Sequence, residues 1–246
     1  MQPEAVLARI RALGFAEADA ALLADHFLDA ERRGKLGHGL ARLPFLETLP
    51  GLDPAARPER IASGPGFERW EARGALGYLT LAAICAAVEA DPPAPARVIA
   101  AGDCFPTGAL GYWVRRLARA GLVAVLTATS PPRLAHPDGG EPLAGTNPLA
   151  IGLPNAGGEP VVVDVSMGAV TYGDVLSGAA APEDLVPFGG EQAYKAFALA
   201  VGLQGLVESL VGERFGAVLL VAQPEDAGYA ARLRERAGGL RLPGDA

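Results

Sequence analysis

Residues 34–45, Gly-Lys-Leu-Gly-His-Gly-Leu-Ala-Arg-Leu-Pro-Phe, place one of only three histidines between two glycines and four residues ahead of an arginine. If the chain turns helical at Gly39, His38 and Arg42 project from the same face while Leu40 and Leu43 point elsewhere. An imidazole titrates near neutrality and can give or take a proton, and a guanidinium can hold a carboxylate through two parallel hydrogen bonds. Such a pair suits a small 2-oxo or 2-imino acid. The same pattern also suits a helix cap whose polar residues are simply solvated, and the segment alone leaves both readings open.

Other polar groups fall where strands end. Residues 97–101 run into Gly-Asp-Cys-Phe-Pro-Thr-Gly-Ala-Leu-Gly-Tyr-Trp, which is either an anion site at a helix N-terminus or an ordinary strand-to-helix turn. Thr127-Ala-Thr-Ser-Pro-Pro follows one strand and Pro142-Leu-Ala-Gly-Thr-Asn-Pro-Leu precedes another, at the strand ends where α/β folds place ligands. Asp164 closes a valine run and could orient a base, bind a ribose or cap a turn. His26 and His136 read as surface histidines. No Gly-x-Gly-x-x-Gly follows a strand, and there is neither a P-loop nor a Gly-x-Ser-x-Gly elbow. Three scattered histidines and two distant cysteines give no metal-ligand set, and Cys85 and Cys104 read as reduced thiols. Acid–base chemistry on a 2-oxo acid without metal or covalent catalysis borrows its reactivity from an organic cofactor.

The elements that must position these groups follow from periodicity. Val6, Leu7, Ile10 and Leu13 predict one helix over 3–13, and a second follows over 17–33, making an N-terminal helical hairpin that leads into the His38 segment. The Pro-rich stretch 50–66 reads as a connecting loop. Beyond it come a helix over 75–90, a strand over 97–101, a helix over 108–120 and a strand over 122–128, the alternation of an α/β domain. Strands at 149–153 and 161–165, separated by Pro-Asn-Ala-Gly-Gly-Glu-Pro, predict an antiparallel hairpin. A helix over 192–211, a strand over 217–222 and a helix over 225–237 complete the pattern. Three segments result: 1–66 with the His38/Arg42 motif, a 67–165 cofactor-binding-like subdomain, and 166–246 packing back on the first.

With 246 residues, 50% of them hydrophobic and 6% aromatic, the core is built mainly from Ala, Leu and Val. A formal charge of −7 argues against nucleic acid or an anionic membrane as partner. No apolar run is read as long enough to span a bilayer and the first residues lack the order of a signal peptide, so a cytoplasmic location is expected.

Taken together, these segments resemble the malate/L-lactate dehydrogenase family of the non-Rossmann type, which includes ureidoglycolate and sulfolactate dehydrogenases, diketogulonate reductase and piperideine-2-carboxylate reductases. Gly37-His-Gly-Leu-Ala-Arg-Leu-Pro resembles the family's Ser-His-Gly-Leu-x-Arg-Leu-Pro, and Leu143-Ala-Gly-Thr-Asn-Pro-Leu-Ala resembles Leu-Gly-Thr-Asn-Pro-Ile/Leu-Ala. Gly108-Ala-Leu-Gly-Tyr-Trp, Val163-Asp-Val-Ser and Pro187-Phe-Gly-Gly fall in the family's order. The resemblance implies the sulfolactate dehydrogenase-like α/β fold, a homodimer, and hydride transfer between NADPH or NADH and a small carboxylate-bearing substrate; the trimming of the chain relative to that pattern suggests a specialised biosynthetic setting. His38 would be the proton donor and Arg42 the carboxylate anchor. The dinucleotide would lie against Gly108, Thr129, Thr146, Asn147, Asp164, Ser166, Gly189 and Gly190.

Departures from the pattern cluster at the same place. The family's serine before the histidine is Gly37, its histidine just before Gly108 is absent, and its lysine after the Gly-Gly turn is Gln192, with Lys195 nearby. The excursion between Ser166 and Pro187 is short, and the chain stops where the family would continue. Each lost cationic contact would remove on the order of 1.5–3 kcal/mol of cofactor binding. Two further readings therefore stand beside the reductase: a cofactor-independent cyclase, isomerase or lyase using His38, and a catalytically inactive partner subunit.

Overall fold

The computed structural model describes residues 1–245. Helix α1 (Pro3–Ala12) starts with proline at its first position, where the missing N–H leaves nothing unpaired, and buries Val6 and Ile10. Helix α2 (Glu17–Arg32) buries Ala20, Leu23, Ala24, Phe27 and Ala30, a stripe of helical period, and packs on α1 as the expected hairpin. A 3₁₀ turn at Leu36–His38 and the short helix α3 (Arg42–Glu47) follow.

The stretch expected to be a plain loop contains a strand, β1 (Glu59–Ser63), paired antiparallel with β2 (Phe67–Glu71). Every residue of β1 is exposed, so no apolar run marks it. In β2 the buried carboxylate of Glu68 accepts from Arg97 at 3.0 Å, Arg60 at 3.3 Å and the Trp70 indole at 3.0 Å, which satisfies a charge that would otherwise forbid the position.

Helix α4 (Gly77–Ala90), strand β3 (Ala96–Gly102), helix α5 (Leu110–Arg119) and strand β4 (Val123–Ala128) come next, close to their expected ranges. Strands β5 (Leu149–Leu153) and β6 (Val161–Val165) form the expected antiparallel hairpin. Then follow the short helix α6 (Tyr172–Leu176), α7 (Ala193–Val211), β7 (Gly216–Ala222) and α8 (Tyr229–Ala237).

The seven strands make one sheet in the order β1-β2-β3-β7-β4-β5-β6. Only β2 and β3 run parallel; the other neighbours are antiparallel. This α/β fold therefore differs from the parallel, doubly wound sheet of common dinucleotide domains. Strand alternation sorts the two faces: Ile99 and Ala101 of β3, with Leu219 and Val221 of β7, join the main core under α1, α2, α4 and α5. Ala100 and Val218 point the other way and meet Val207 and Val211 of α7.

Two expectations need correction. His26 is not on the surface: it is fully buried on α2, beside Phe27, Tyr78, Tyr112 and Trp113, with ring centroids 4.6–6.1 Å away. Packing of α2 against α5 and α4 closes over it, which the polar neighbours Asp25 and Asp29 along the helix did not reveal. A helical stretch long and apolar enough to cross a bilayer also exists, Gly190–Val211, with mean hydropathy 1.2 in an 18-residue window. Here it lies on the second face of the sheet, seating Ala196, Ala200, Val207 and Val211 there and leaving most of its remaining surface exposed.

Candidate functional site

His38 ends the 3₁₀ turn and Arg42 opens α3, so the two stand on different elements rather than on one helix. They nevertheless line one cavity of about 250 Å³ with Tyr78, Thr129, Arg133 and Tyr172, among others. Arg42 is oriented from behind: its Nε donates to the Gly37 carbonyl at 2.8 Å, and the guanidinium lies 5.6 Å from the Phe45 ring centre. The terminal nitrogens are left for an anion. Nδ1 of His38 is sealed in the protein without a hydrogen-bond partner, which makes Nε2 the nitrogen available to a ligand. Desolvation and the Arg42 and Lys35 cations hold the His38 imidazolium well below the ordinary imidazole range. The free site therefore holds His38 neutral at neutral pH.

A second cavity of about 340 Å³ shares His38, Gly108, Pro148, Ser166 and Thr171 with the first, so the imidazole stands at their junction. Of the residues expected to hold a dinucleotide, Gly108, Thr129, Thr146 and Ser166 line the first cavity, and Gly108, Asp164 and Ser166 line the second. Asp164 Oδ2 accepts from Lys35 Nζ at 2.6 Å. Asn147 is fully buried and bonded inward: its amide donates to the Ala200 carbonyl and to Gln204, and its Oδ1 accepts from Ser130 N–H. The Thr129 hydroxyl is likewise engaged with the Gly216 backbone. Gly189 and Gly190 line a third cavity, of about 490 Å³, reached past Arg133. Lys195 is exposed and donates to Gln192.

Two glycines are dictated by what surrounds them. A Cβ on Gly108, whose φ is +70°, would overlap the rings of Tyr78 and His26. A Cβ on Gly37 would stand 2.6 Å from Asp174 and 2.7 Å from the Thr171 hydroxyl. Thr171 and Asp174 are the capping box that starts α6, with Thr171 Oγ1 donating to Asp174 Oδ2 at 2.7 Å. The short segment after Ser166 thus brings α6 directly against the His38 turn, and its capping threonine supplies a hydroxyl where residue 37 has no side chain.

Tyr78, Arg133, Thr171 and Tyr172 were not singled out from sequence. Each reaches the cavity from a helix start or loop far from His38, and none carries a local pattern; the cluster Thr127–Pro132 was the nearest signal. Cys85 and Cys104 are buried free thiols, both pushed up to about 12 by desolvation, so neither is a nucleophile at neutral pH. Among the described residues no group of three or more His, Cys, Asp or Glu side chains is arranged to hold a metal ion. His136 is half exposed, accepts from Asp138 N–H at 3.1 Å and meets Phe197 edge to face.

Residues 4–187 match the sequence model of the family described as malate/L-lactate dehydrogenase. Among individual proteins, the chain is 35% identical over 176 residues to the NADP(+)-dependent (2R)-3-sulfolactate dehydrogenase of Chromohalobacter salexigens, covering 69% of this chain and 52% of that one. In that alignment the chain spans about half of its relative's length. It is 28% identical over 281 residues to a pyrroline-2-carboxylate/piperideine-2-carboxylate reductase of Pseudomonas syringae pv. tomato, covering 92% of this chain and 81% of that one. The crystal structure of a piperideine-2-carboxylate reductase from P. syringae pv. tomato superposes with a TM-score of 0.83 at 26% identity, over 99% of this chain and 89% of that one. A dehydrogenase from Sinorhizobium meliloti shares the fold with a TM-score of 0.85 at 24% identity, over 100% and 89% of the two chains.

Proposed function

The chain belongs to the malate/L-lactate dehydrogenase family, and from that premise we propose that it reduces a small 2-oxo acid or cyclic 2-imino acid with NADPH or NADH. The observation that carries this reading is the junction of two cavities at His38, with Arg42 on one wall and Asp164, Lys35 and Ser166 around the other. The second donor set fits a nicotinamide riboside: the Asp164 carboxylate, one oxygen of which is already committed to Lys35, can take a sugar hydroxyl, with Ser166 beside it. When bound there, the dinucleotide supplies the hydride.

Arg42 holds the substrate carboxylate by its free terminal nitrogens. His38 Nε2 gives its proton to the carbonyl oxygen or imine nitrogen. Because Arg42 and Lys35 disfavour the imidazolium in the free site, an incoming carboxylate offsets their field and raises the proton affinity of His38 on binding. Protonation is therefore coupled to occupancy by an anion.

Kinetics of His38→Asn and Arg42→Lys test this directly. The asparagine variant is expected to lose about 10²–10⁴-fold in kcat, the usual worth of a general acid, while still binding NADPH. The lysine variant is expected to raise KM for the acid roughly tenfold or more through loss of the bidentate grip. Unchanged kcat in His38→Asn would reject the assignment.

A second reading, a cofactor-independent isomerase or lyase at His38, is favoured by the inward bonding of Asn147 and Thr129 and the position of Lys195 outside these cavities. Its mark is His38-dependent turnover without nicotinamide. A homodimer also belongs to this proposal: Tyr194, Leu199, Val201 and Leu206 leave α7 with an exposed apolar face that a second copy would cover. Light scattering that finds only monomer would exclude it.

A further inference from the structure

Fifteen arginines have a carboxylate partner within ion-pair distance; among the described residues only Arg42, Arg133, Arg236 and Arg241 have none. Arg42 and Arg133 line the same cavity, and no aspartate or glutamate lines it with them. In a chain of formal charge −7, two uncompensated guanidiniums on one small cavity form a local site for negative charge. The two arginines come from separate elements of the chain. Arg42 opens α3, whereas Arg133 follows β4 on a loop pinned by its own N–H to the Ala144 carbonyl at 2.8 Å and by the bridge between Leu134 and Ala144.

Arg133 is held as a flat receptor. Its guanidinium carbon stands 3.4 Å from the centre of the Tyr172 ring, close enough that the two planes stack, and it makes no side-chain hydrogen bond among the described residues. Stacking on an aromatic face restrains the group while leaving its in-plane N–H edge free to meet an oxyanion. Tyr172 is itself fixed as the first residue of α6 by the Thr171–Asp174 capping box. The geometry thus offers one guanidinium beside His38 and a second, braced one elsewhere in the lining of the same cavity.

We propose that Arg133 is a specificity-determining residue that receives a second anionic group of the substrate, so that the site selects 2-oxo or 2-hydroxy acids carrying a distal carboxylate or sulfonate over singly charged ones. This rests on the assignment of Arg42 as the anchor of the first carboxylate. The distal group accepts from the Arg133 edge, and a substrate lacking it leaves that cation unpaired on the cavity wall. Discrimination of about tenfold or more is expected, the size that a charge-assisted hydrogen bond carries.

Calorimetric binding of malate and lactate to the wild-type protein, Arg133→Met and Arg133→Lys, with NADPH binding measured alongside, separates the possibilities without requiring turnover. Wild type is expected to bind malate at least about tenfold more tightly than lactate. In Arg133→Met the ratio is expected to collapse toward unity, and Arg133→Lys is expected to retain part of it. Melting curves and NADPH affinity of the methionine variant report whether its fold is intact. An equal affinity for the two acids in wild type, a ratio unchanged in Arg133→Met, or no binding of either acid would overturn the proposal. So would a loss confined to NADPH affinity, which would assign Arg133 to a cofactor phosphate instead. Failure of the reductase reading has a different signature: no nicotinamide-dependent turnover of any acid, with the malate preference and its dependence on Arg133 intact.

Discussion

Replacing His26 by leucine should remove a defined share of the protein's sensitivity to acid. His26 is fully buried against the rings of Phe27, Tyr78, Tyr112 and Trp113, and burial lowers its pKa from the ordinary 6.5 to about 4. In the unfolded chain the same imidazole binds a proton at its ordinary value. Above pH 6.5 it is neutral in both states, and its contribution is fully present; as pH falls toward 4 the unfolded state alone takes up the proton and stability is lost. At about 1.4 kcal/mol per unit, the shift corresponds to about 3 kcal/mol, a large fraction of a typical folding free energy. Urea unfolding of wild type and His26→Leu, followed by tryptophan fluorescence at a series of pH values, isolates this contribution because the carboxylates are common to both. The wild-type curve is expected to fall more steeply than the variant's between those two values and to run parallel to it below about 4. Parallel curves throughout would refute the reasoning, since a buried neutral imidazole cannot avoid this linkage.

Further outcomes follow from the site. With His38 held below the ordinary imidazole range, kcat/KM for acid reduction is expected to rise as pH falls through neutrality, and Lys35→Met is expected to move its inflection upward; a pH–rate profile of both proteins checks this. Gly37→Ser is expected to lower activity and melting temperature together, because its side chain would meet the Thr171–Asp174 box rather than the cavity; restored or increased activity would contradict that placement. Neither cysteine of the native protein is expected to react with a disulfide reagent at neutral pH, and both should react once the chain is unfolded in denaturant.

What was readable in the sequence followed the strength of local patterns. The Ala/Val/Leu runs of β3, β4, β5, β6 and β7 and the turn before β6 mark their strands because each is buried on at least one face. Strands β1 and β2 escaped because β1 is wholly exposed and three of the five residues of β2 are charged, and the pairing of Glu68 with Arg97 is visible only once the strands are adjacent. At the site, His38 and Arg42 were legible from a short motif, although they reach the same cavity from a 3₁₀ turn and a separate helix instead of one helical face. Arg133 and Tyr172 meet through a contact between a loop and α6 that no spacing encodes. His26 misled for a related reason: its neighbours along α2 are acidic, but its neighbours in space are aromatic. Gly37 reads as a lost hydroxyl in one dimension and as a close approach of α6 in three.

The assignment of His38 as proton donor to a carboxylate-bearing substrate in nicotinamide-dependent reduction is tested most directly by following NADPH and NADH oxidation by fluorescence. Wild type and His38→Asn would each be mixed with oxaloacetate, pyruvate and piperideine-2-carboxylate. With that assignment, at least one of these acids is expected to drive saturable oxidation by wild type that falls about 10²–10⁴-fold in the asparagine variant. No oxidation with any acid by a folded wild-type protein, or oxidation unaffected by the loss of His38, would contradict it.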